Sequence, residues 1–270
     1  MPGKQAKKEK MPRLPRINIK GVLYYITCKS IHSQYIFKDG KDYEMFLELL
    51  KRYQEQYGMR LFSYVLLPGH LHLLLEMMGE GEQVSSFMHN LNNAYTKYFN
   101  GRYQRKGHLF RGRFKAAIVE KAPNLTKLTA YMHLNPKRLN LVPNAKDYPH
   151  SSYGDYLNLE RGKQFTPLEA KEQQEKSKVP LTDFNFEQEI AETLGFLKDK
   201  GYMEFVDNLT REDAERLHKN LQRGGIFGSE EFIKKIKKEI ADSQSGNPDH
   251  ASERQPSHYR LFIFTGSFLL

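Results

Sequence analysis

Residues 60–77 read RLFSYVLLPGHLHLLLEM, two apolar runs broken by Pro68-Gly69. The pair is turn chemistry, and the flanking runs are rich in Leu, Val, Phe and Tyr, so the stretch is expected to fold as a β-hairpin. Its second run, HLHLLLEM at 70–77, holds His70 and His72 where a buried strand would prefer Leu or Val. Residues two apart in a strand point to one face, so the two imidazoles stand side by side. Each ring needs partners for its polar nitrogens. Ordinary hydrogen bonds could supply them, with one ring in solvent and the other in the core. A metal ion is the other answer, and the spacing alone does not choose.

Outward from the hairpin, GVLYYITCK (21–29) reads as a strand from its aromatic and β-branched content. KDYEMFLELLKRYQEQY (41–57) sets Phe46, Leu49, Leu50 and Tyr53 at helical spacing, and QVSSFMHNLNNAYTKYFN (83–100) does the same with Phe87, Leu91, Ala94 and Tyr98. RFKAAIV (113–119) suits a fourth strand, and LTKLTAYMHLNP (125–136) a helix stopped by Pro136. The order strand, helix, strand, strand, helix, strand is that of an α+β, ferredoxin-like split βαβ core, an antiparallel sheet with helices on one face. A C-terminal helical region follows, with amphipathic segments near 186–199, 211–222 and 229–240, the second opened by a Thr210/Asp213 capping pattern.

These readings divide the chain into a disordered basic arm (1–16), a main domain (17–159), a polar linker (160–182), a small helical region (183–242) and a disordered tail (243–270). The final LFIFTGSFLL is apolar but too short to span a membrane.

Charge singles out the first half. The chain's formal net charge is +10, but residues 1–159 carry 25 Lys/Arg against 12 Asp/Glu, while residues 160–245 carry 15 against 18. A surplus confined to one domain makes nucleic acid the first candidate partner. Cys28 is the only cysteine, which rules out an internal disulfide and any cysteine-rich zinc module and fits a reducing compartment. With no signal-peptide pattern and no apolar run of membrane-spanning length, the expectation is a soluble cytoplasmic protein with no membrane partner, nucleoid-associated when bound to DNA.

Two further stretches carry chemistry. On a helix, Tyr131 and Asn135 are i and i+4 and share a face, with Lys127 one turn earlier. Turned toward the histidine pair, that face would offer a nucleophile and a third ligand; otherwise Tyr131 is a half-buried aromatic and Asn135 a helix cap. KYFNGRYQRKGHLFRGRFK (97–115) has seven basic residues (Lys97, Arg102, Arg105, Lys106, Arg111, Arg113 and Lys115), no acid, and interleaved Tyr98, Phe99, Tyr103, Phe110 and Phe114. Basic side chains neutralise phosphates and aromatic faces can stack unpaired bases, although a solvated basic loop has the same composition.

Taken in order, YYITCKSIHSQYIFKDGKDYEMFLELL, YVLLPGHLHLLLE, YTKYFNGRYQRKGHLFRGRFK, AYMHLNPKRLNLV and DYPHSSYGDY resemble the REP-associated single-tyrosine transposases of the HUH type, which act on single-stranded DNA. The resemblance runs over residues 12–157. It implies that His70 and His72 are the histidines of the HUH signature with Leu71 between them, that Tyr131 is the nucleophile, and that Asn135 completes the metal site. Where some relatives carry a polar residue just before the first histidine, this chain has Gly69. Two imidazoles and an amide oxygen would suit Mg²⁺ or Mn²⁺. The implied activity is DNA cleavage and strand transfer beside a hairpin through a 5′-phosphotyrosine, by a monomer or homodimer. Lys97, Arg102, Arg105, Lys106, Arg111, Arg113, Lys115 and Lys127 are the expected DNA contacts, and Lys127 could also stabilise the phenolate. The alternative is a domesticated relative that binds structured DNA or RNA without cutting. A zinc hydrolase fits less well, because no HExxH or Cys pair is present.

Overall fold

The computed structural model describes residues 19–78, 84–160, 195, 201–245 and 261–263. The hairpin forms between β2 (Met59–Leu67) and β3 (His70–Met77), with Leu67 opposite His70 and Val65 opposite His72. Strand β1 (Leu23–Lys29) pairs antiparallel with the free side of β3, and β4 (Lys115–Val119) pairs antiparallel with β1. Helix α1 (Gly40–Gln56) joins β1 to β2, and α2 (Val84–Arg102) joins β3 to β4. The resulting order β2–β3–β1–β4 is the expected split βαβ core.

Strand alternation decides what each face holds. Tyr24, Ile26 and Cys28 of β1 and Leu71, Leu73 and Leu75 of β3 point into one apolar cluster, covered by Phe46, Leu47 and Leu50 of α1 and Phe87, Leu91, Tyr95 and Phe99 of α2. Tyr95 and Phe99 replace the expected Ala94 and Tyr98 at the core. Tyr98 sits at the margin, its hydroxyl bonded to Asp42. The opposite face is not bare. Leu23, Tyr25, Val65 and Leu74 pack there against α3 (Lys121–Arg138) and a later helix, α6 (Arg211–Arg223). The two core helices therefore share one face as expected, and α3 and α6 add a second layer across the sheet.

Helix α3 is longer than expected at both ends. Pro123 falls in its first turn, where a missing N–H breaks no helical bond. Pro136 falls in the last turn and does not stop the helix, which runs on to Arg138. A bulge in β2 between Leu61 and Ser63 shifts the register so that Ser63 reaches α3. There His133, fully buried, has both ring nitrogens bonded: Nε2 to Ser63 Oγ (3.1 Å) and Ser152 Oγ (2.8 Å), Nδ1 to Tyr202 OH (2.8 Å). This network ties α3 to β2, to the segment preceding α4 (Tyr153–Glu160), and to α5 (Tyr202–Asn208).

The outer edge of β2 would otherwise expose unpaired backbone groups. Residues 148–152, within the DYPHSSYGDY stretch, cover it. Leu66 N–H donates to His150 O (2.9 Å), Ser152 N–H donates to Tyr64 O (3.1 Å), and Val65 bridges Ser151.

The other edge departs from the expectation of a separate helical region and disordered tail. Strand β5 (Gly225–Gly228) joins β4 in parallel with Ile226 opposite Ile118, and β6 (Leu261–Ile263) joins β5, giving six strands in the order β2–β3–β1–β4–β5–β6. GIFG is too short, and too rich in glycine, to read as a strand without its neighbour. The joint is specific: Glu120 accepts from Ser229 N (2.6 Å) and Ser229 Oγ (3.0 Å) at the start of α7 (Glu230–Ser245). Thr210 caps α6 as expected, accepting from Asp213 N (3.1 Å). The basic arm at 1–16, the linker, and all of the 186–199 segment but residue 195 lie outside the described residues, among which no helix is long and apolar enough to cross a membrane.

Burial pushes the His133 ring down to about 3 and the His150 ring down to about 4. An unfolded imidazole titrates near ~6.5, so below that pH the unfolded chain binds protons that the fold refuses. Stability must therefore fall as pH drops from about 6.5 toward 4, by at most about 1.4 kcal/mol per unit for each ring. Urea unfolding at about pH 7 and about pH 5 should give the lower stability at the lower pH. Equal or greater stability there would contradict buried neutral histidines.

Candidate active site

The side of the sheet facing α3 carries the candidate residues because of strand parity. On β1 these are Tyr25, Thr27 and Lys29; on β3 they are His70 and His72. The pairing sets Thr27 opposite His72 and Lys29 opposite His70, and β4 brings Lys115 opposite Thr27. Leu71, between the histidines, is fully buried in the cluster on the other face, so it holds the strand while its neighbours line the cleft.

His72 is almost completely buried and its Nδ1 lies 2.6 Å from the Tyr25 hydroxyl. Its Nε2 is buried with no hydrogen-bond partner among the described residues. The Thr27 hydroxyl and the Asn135 amide nitrogen are also buried without a well-formed hydrogen bond. An orphaned polar atom costs roughly 1–3 kcal/mol, which a ligand at this position would offset. If Tyr25 accepts from Nδ1–H, the Nε2 lone pair of His72 is free to bind a cation, the tautomer lock common at metal-ligating histidines. His70 is half-buried, its ring 5.0 Å from that of His72 and nearly perpendicular to it.

Helix α3 lays Tyr131 and Asn135 over this floor. Tyr131 is fully buried, its ring 6.4 Å from that of Tyr25 and 5.7 Å from the Arg138 guanidinium. Its hydroxyl lies 2.8 Å from Nδ1 of His218, which α6 supplies. The partly exposed members of the group, His70, His218 and Lys29, mark its open side.

Electrostatics keep the site uncharged at its centre. Burial, then Lys29 and His218, lowers the His70 ring to about 4. Burial, His70, His218 and Lys29 drive His72 well below its ordinary value. His218 is lowered by burial and by Lys29, Arg138 and Lys115. All three imidazoles are therefore neutral near pH 7 and each can offer a lone pair. The Tyr131 phenol is raised by burial, against the opposing pull of Arg138, Tyr25 and Asn135.

Lys127 lies one turn from Tyr131 but faces a different environment: its charged neighbours are Asp213 and Arg216 of α6. The cation beside the phenol is Arg138, seven residues further along the same helix face, a relation that the i, i+7 spacing could have revealed. Tyr25 and Thr27 were similarly available from strand parity. His218 was not, because nothing in the 211–222 segment distinguishes it from an ordinary histidine on an amphipathic helix.

The basic segment divides into two groups. Arg102 is taken up internally, with Nη1 donating to Asp42 (2.6 Å) and Nη2 to Asp39 (2.5 Å). Phe99 and Phe110 are core residues, and Tyr103 lies beneath the Lys38 ammonium at 4.0 Å, so these aromatics pack the loop rather than stand free for stacking. Arg105 lies against Phe99. Lys97, Lys106, Arg111, Arg113 and Lys115 are exposed. Arg111 N–H donates to Lys29 O (2.8 Å), which places this part of the segment beside the histidine pair. Lys115 Nζ donates to the Gln222 carbonyl (3.2 Å), linking β4 to α6. A groove of about 200 Å³ between α2 and residues 108–114 opens among α2 residues such as His89 and Asn92, not at Tyr131. Among the described residues, no group of three or more His, Cys, Asp or Glu side chains is placed to hold a metal.

Residues 20–135, spanning β1 through most of α3 and under half of the chain, match the family described as "Transposase IS200 like", so the sequence resemblance is borne out over that segment. Two solved structures are similar: a REP-associated tyrosine transposase bound to a REP hairpin (18% identity, 57% of this chain and 89% of that one, TM-score 0.47) and a Deinococcus radiodurans R1 protein described as a "putative transposase" (14% identity, 43% and 92%, TM-score 0.32). A search of curated proteins finds no match.

Because burial favours the neutral phenol, Tyr131 should stay protonated beyond the ~10 of free tyrosine. Ultraviolet titration of the protein minus that of Tyr131→Phe should place this phenol's midpoint above that value. A midpoint at or below it would mean that the site is open to water.

Proposed function

We propose that this protein is a metal-dependent single-strand DNA endonuclease and strand transferase with Tyr131 as nucleophile. What supports the reading is an orphaned, buried His72 Nε2 beside His70, linked through Tyr25 to Tyr131, with Asn135 one turn further along α3. Those donors fit a divalent ion: His70, His72 and Asn135 would hold Mg²⁺ or Mn²⁺. When bound, the ion supplies Lewis-acid stabilisation of charge on a non-bridging phosphate oxygen.

The chain's own groups do the rest. Tyr25 fixes the tautomer and orientation of His72. Lys29, Arg111 and Lys115 form a cationic lip that positions a phosphate at the open side. The Tyr131 oxygen attacks phosphorus and displaces the 3′ oxygen, leaving a 5′-phosphotyrosine and a free 3′-hydroxyl. Arg138 stabilises the developing phenolate. Because the ester retains the energy of the broken bond, the 3′-hydroxyl of another strand can reverse the step, and no nucleotide cofactor is consumed. A regular duplex holds its phosphates away from so recessed a nucleophile, which favours single-stranded substrates flanked by a hairpin.

Full burial of Tyr131 favours a second reading, a protein that binds structured DNA but no longer cuts. One experiment separates the two. Incubated with Mn²⁺ and a pool of oligonucleotides bearing a hairpin and a randomised single-stranded flank, the protein should form a covalent adduct that Tyr131→Phe abolishes. Tight binding with no adduct would establish the binder, and cleavage with no adduct would sink the tyrosine mechanism.

Binding itself should follow the division of the basic segment. Replacing exposed Arg111 or Arg113 with Ala should reduce the slope of log affinity against log salt by about 0.7 for each phosphate contact to a single strand. Arg102→Ala should leave that slope unchanged, because its charge is already paired. A slope loss in Arg102→Ala equal to that of Arg111→Ala would contradict the division.

A further inference from the structure

Removing the proton of Tyr131 needs an acceptor within reach of its hydroxyl. Among the described residues, the basic nitrogen bonded to that hydroxyl is Nδ1 of His218, at 2.8 Å. That residue lies outside residues 20–135, on a helix whose place is set by the C-terminal extension of the sheet. We propose that His218 is the general base that takes the Tyr131 proton during cleavage and returns it when the strand is rejoined. This role rests on the nuclease reading above.

Three features support it. Helix α6 is held rigidly: Ala214, Leu217 and Leu221 pack into the core cluster beneath α3, Thr210 caps its start, and Lys115 bonds the Gln222 carbonyl near its end. The ring is only half-buried, on the open side with His70 and Lys29, so it can exchange protons with solvent between turnovers. The groups facing it from the packed elements are Lys29 on β1, Lys115 on β4, Arg138 on α3 and the histidines of β3. With burial, they keep the ring neutral and therefore able to accept a proton.

The step balances. The phenolic proton moves to Nδ1 while the O–H electron pair stays on the Tyr131 oxygen. That oxygen bonds to phosphorus, and the bond from phosphorus to the 3′ oxygen breaks. The departing oxygen takes a proton from solvent to become the 3′-hydroxyl. For Nδ1 to accept, the neutral ring must carry its proton on Nε2. A general base placed this way contributes roughly 10²-fold or more to the rate.

The test uses the full chain, Mn²⁺ and the same oligonucleotide pool, following single-turnover adduct formation. His218→Ala and His218→Gln should each slow it on the order of 10²-fold with oligonucleotide affinity unchanged. The Gln variant keeps a hydrogen bond to Tyr131 but cannot take its proton, and serves if the Ala variant does not fold. Added imidazole should restore the Ala variant, and acetamide should not. Independently of activity, ¹⁵N-histidine spectra should show a hydrogen-bonded, unprotonated Nδ1 that is lost in His218→Gln and shifted in Tyr131→Phe. Variants reacting at the unaltered rate or faster would overturn the proposal, making α6 a cover instead. An Nδ1 found protonated toward the phenol would also overturn it. No adduct from the unaltered protein would overturn the nuclease reading itself, and the base with it.

Discussion

The alternation of β3 is the constraint on which the rest depends. Leu71, Leu73 and Leu75 are locked into the core beneath α1 and α2. A slip of one residue would turn that apolar set toward α3 and bury the histidines among leucines. The register is held from both sides, by β2 and by β1, so His70 and His72 have no freedom but to face the cleft. A site on a doubly paired central strand is also rigid, which positioned ligands require.

That rigidity extends to the facing helix through a polar contact rather than an apolar one. His133 lies two residues from Tyr131, and its ring is satisfied by three partners from three elements. Such a network is worth having only when complete, because a half-satisfied one leaves buried polar groups without partners. The bulge at Leu61–Ser63 is what lets Ser63 join it. The same device therefore fixes the depth and rotation of α3, and with them the height of Tyr131 above the histidines. His133 and His72 are both buried and neutral, yet they differ in kind. One has every nitrogen bonded, and the other keeps Nε2 open. The contrast separates a histidine used wholly in packing from one with a nitrogen left unpaired.

The C-terminal region changes the picture of the fold most. Two short parallel strands extend the sheet past β4, and α6, which leads into β5, packs over the face that carries the histidine pair. Parallel pairing requires a crossover, and the one from β4 to β5 carries His218 to Tyr131. The extension thus completes the cleft as well as covering an edge.

Much of this was legible in the chain itself. The Pro68-Gly69 turn, the aromatic and β-branched runs and the helical spacing gave the βαββαβ order. Parity put His70 and His72 on one face, and helical spacing put Tyr131 with Asn135. Local rules suffice for such features because they act over a few residues. Only the tertiary structure could decide which basic residues are spent on internal partners, as Arg102 is on Asp39 and Asp42, and which stay exposed. Nor could local rules show that Pro136 sits inside a helix, that GIFG is a strand, or that Arg138 rather than Lys127 neighbours the phenol. The meeting of Tyr131 with His218 is the furthest case. The two are 87 positions apart, and no periodicity spans that distance; packing of α6 against the second face of the sheet creates the contact.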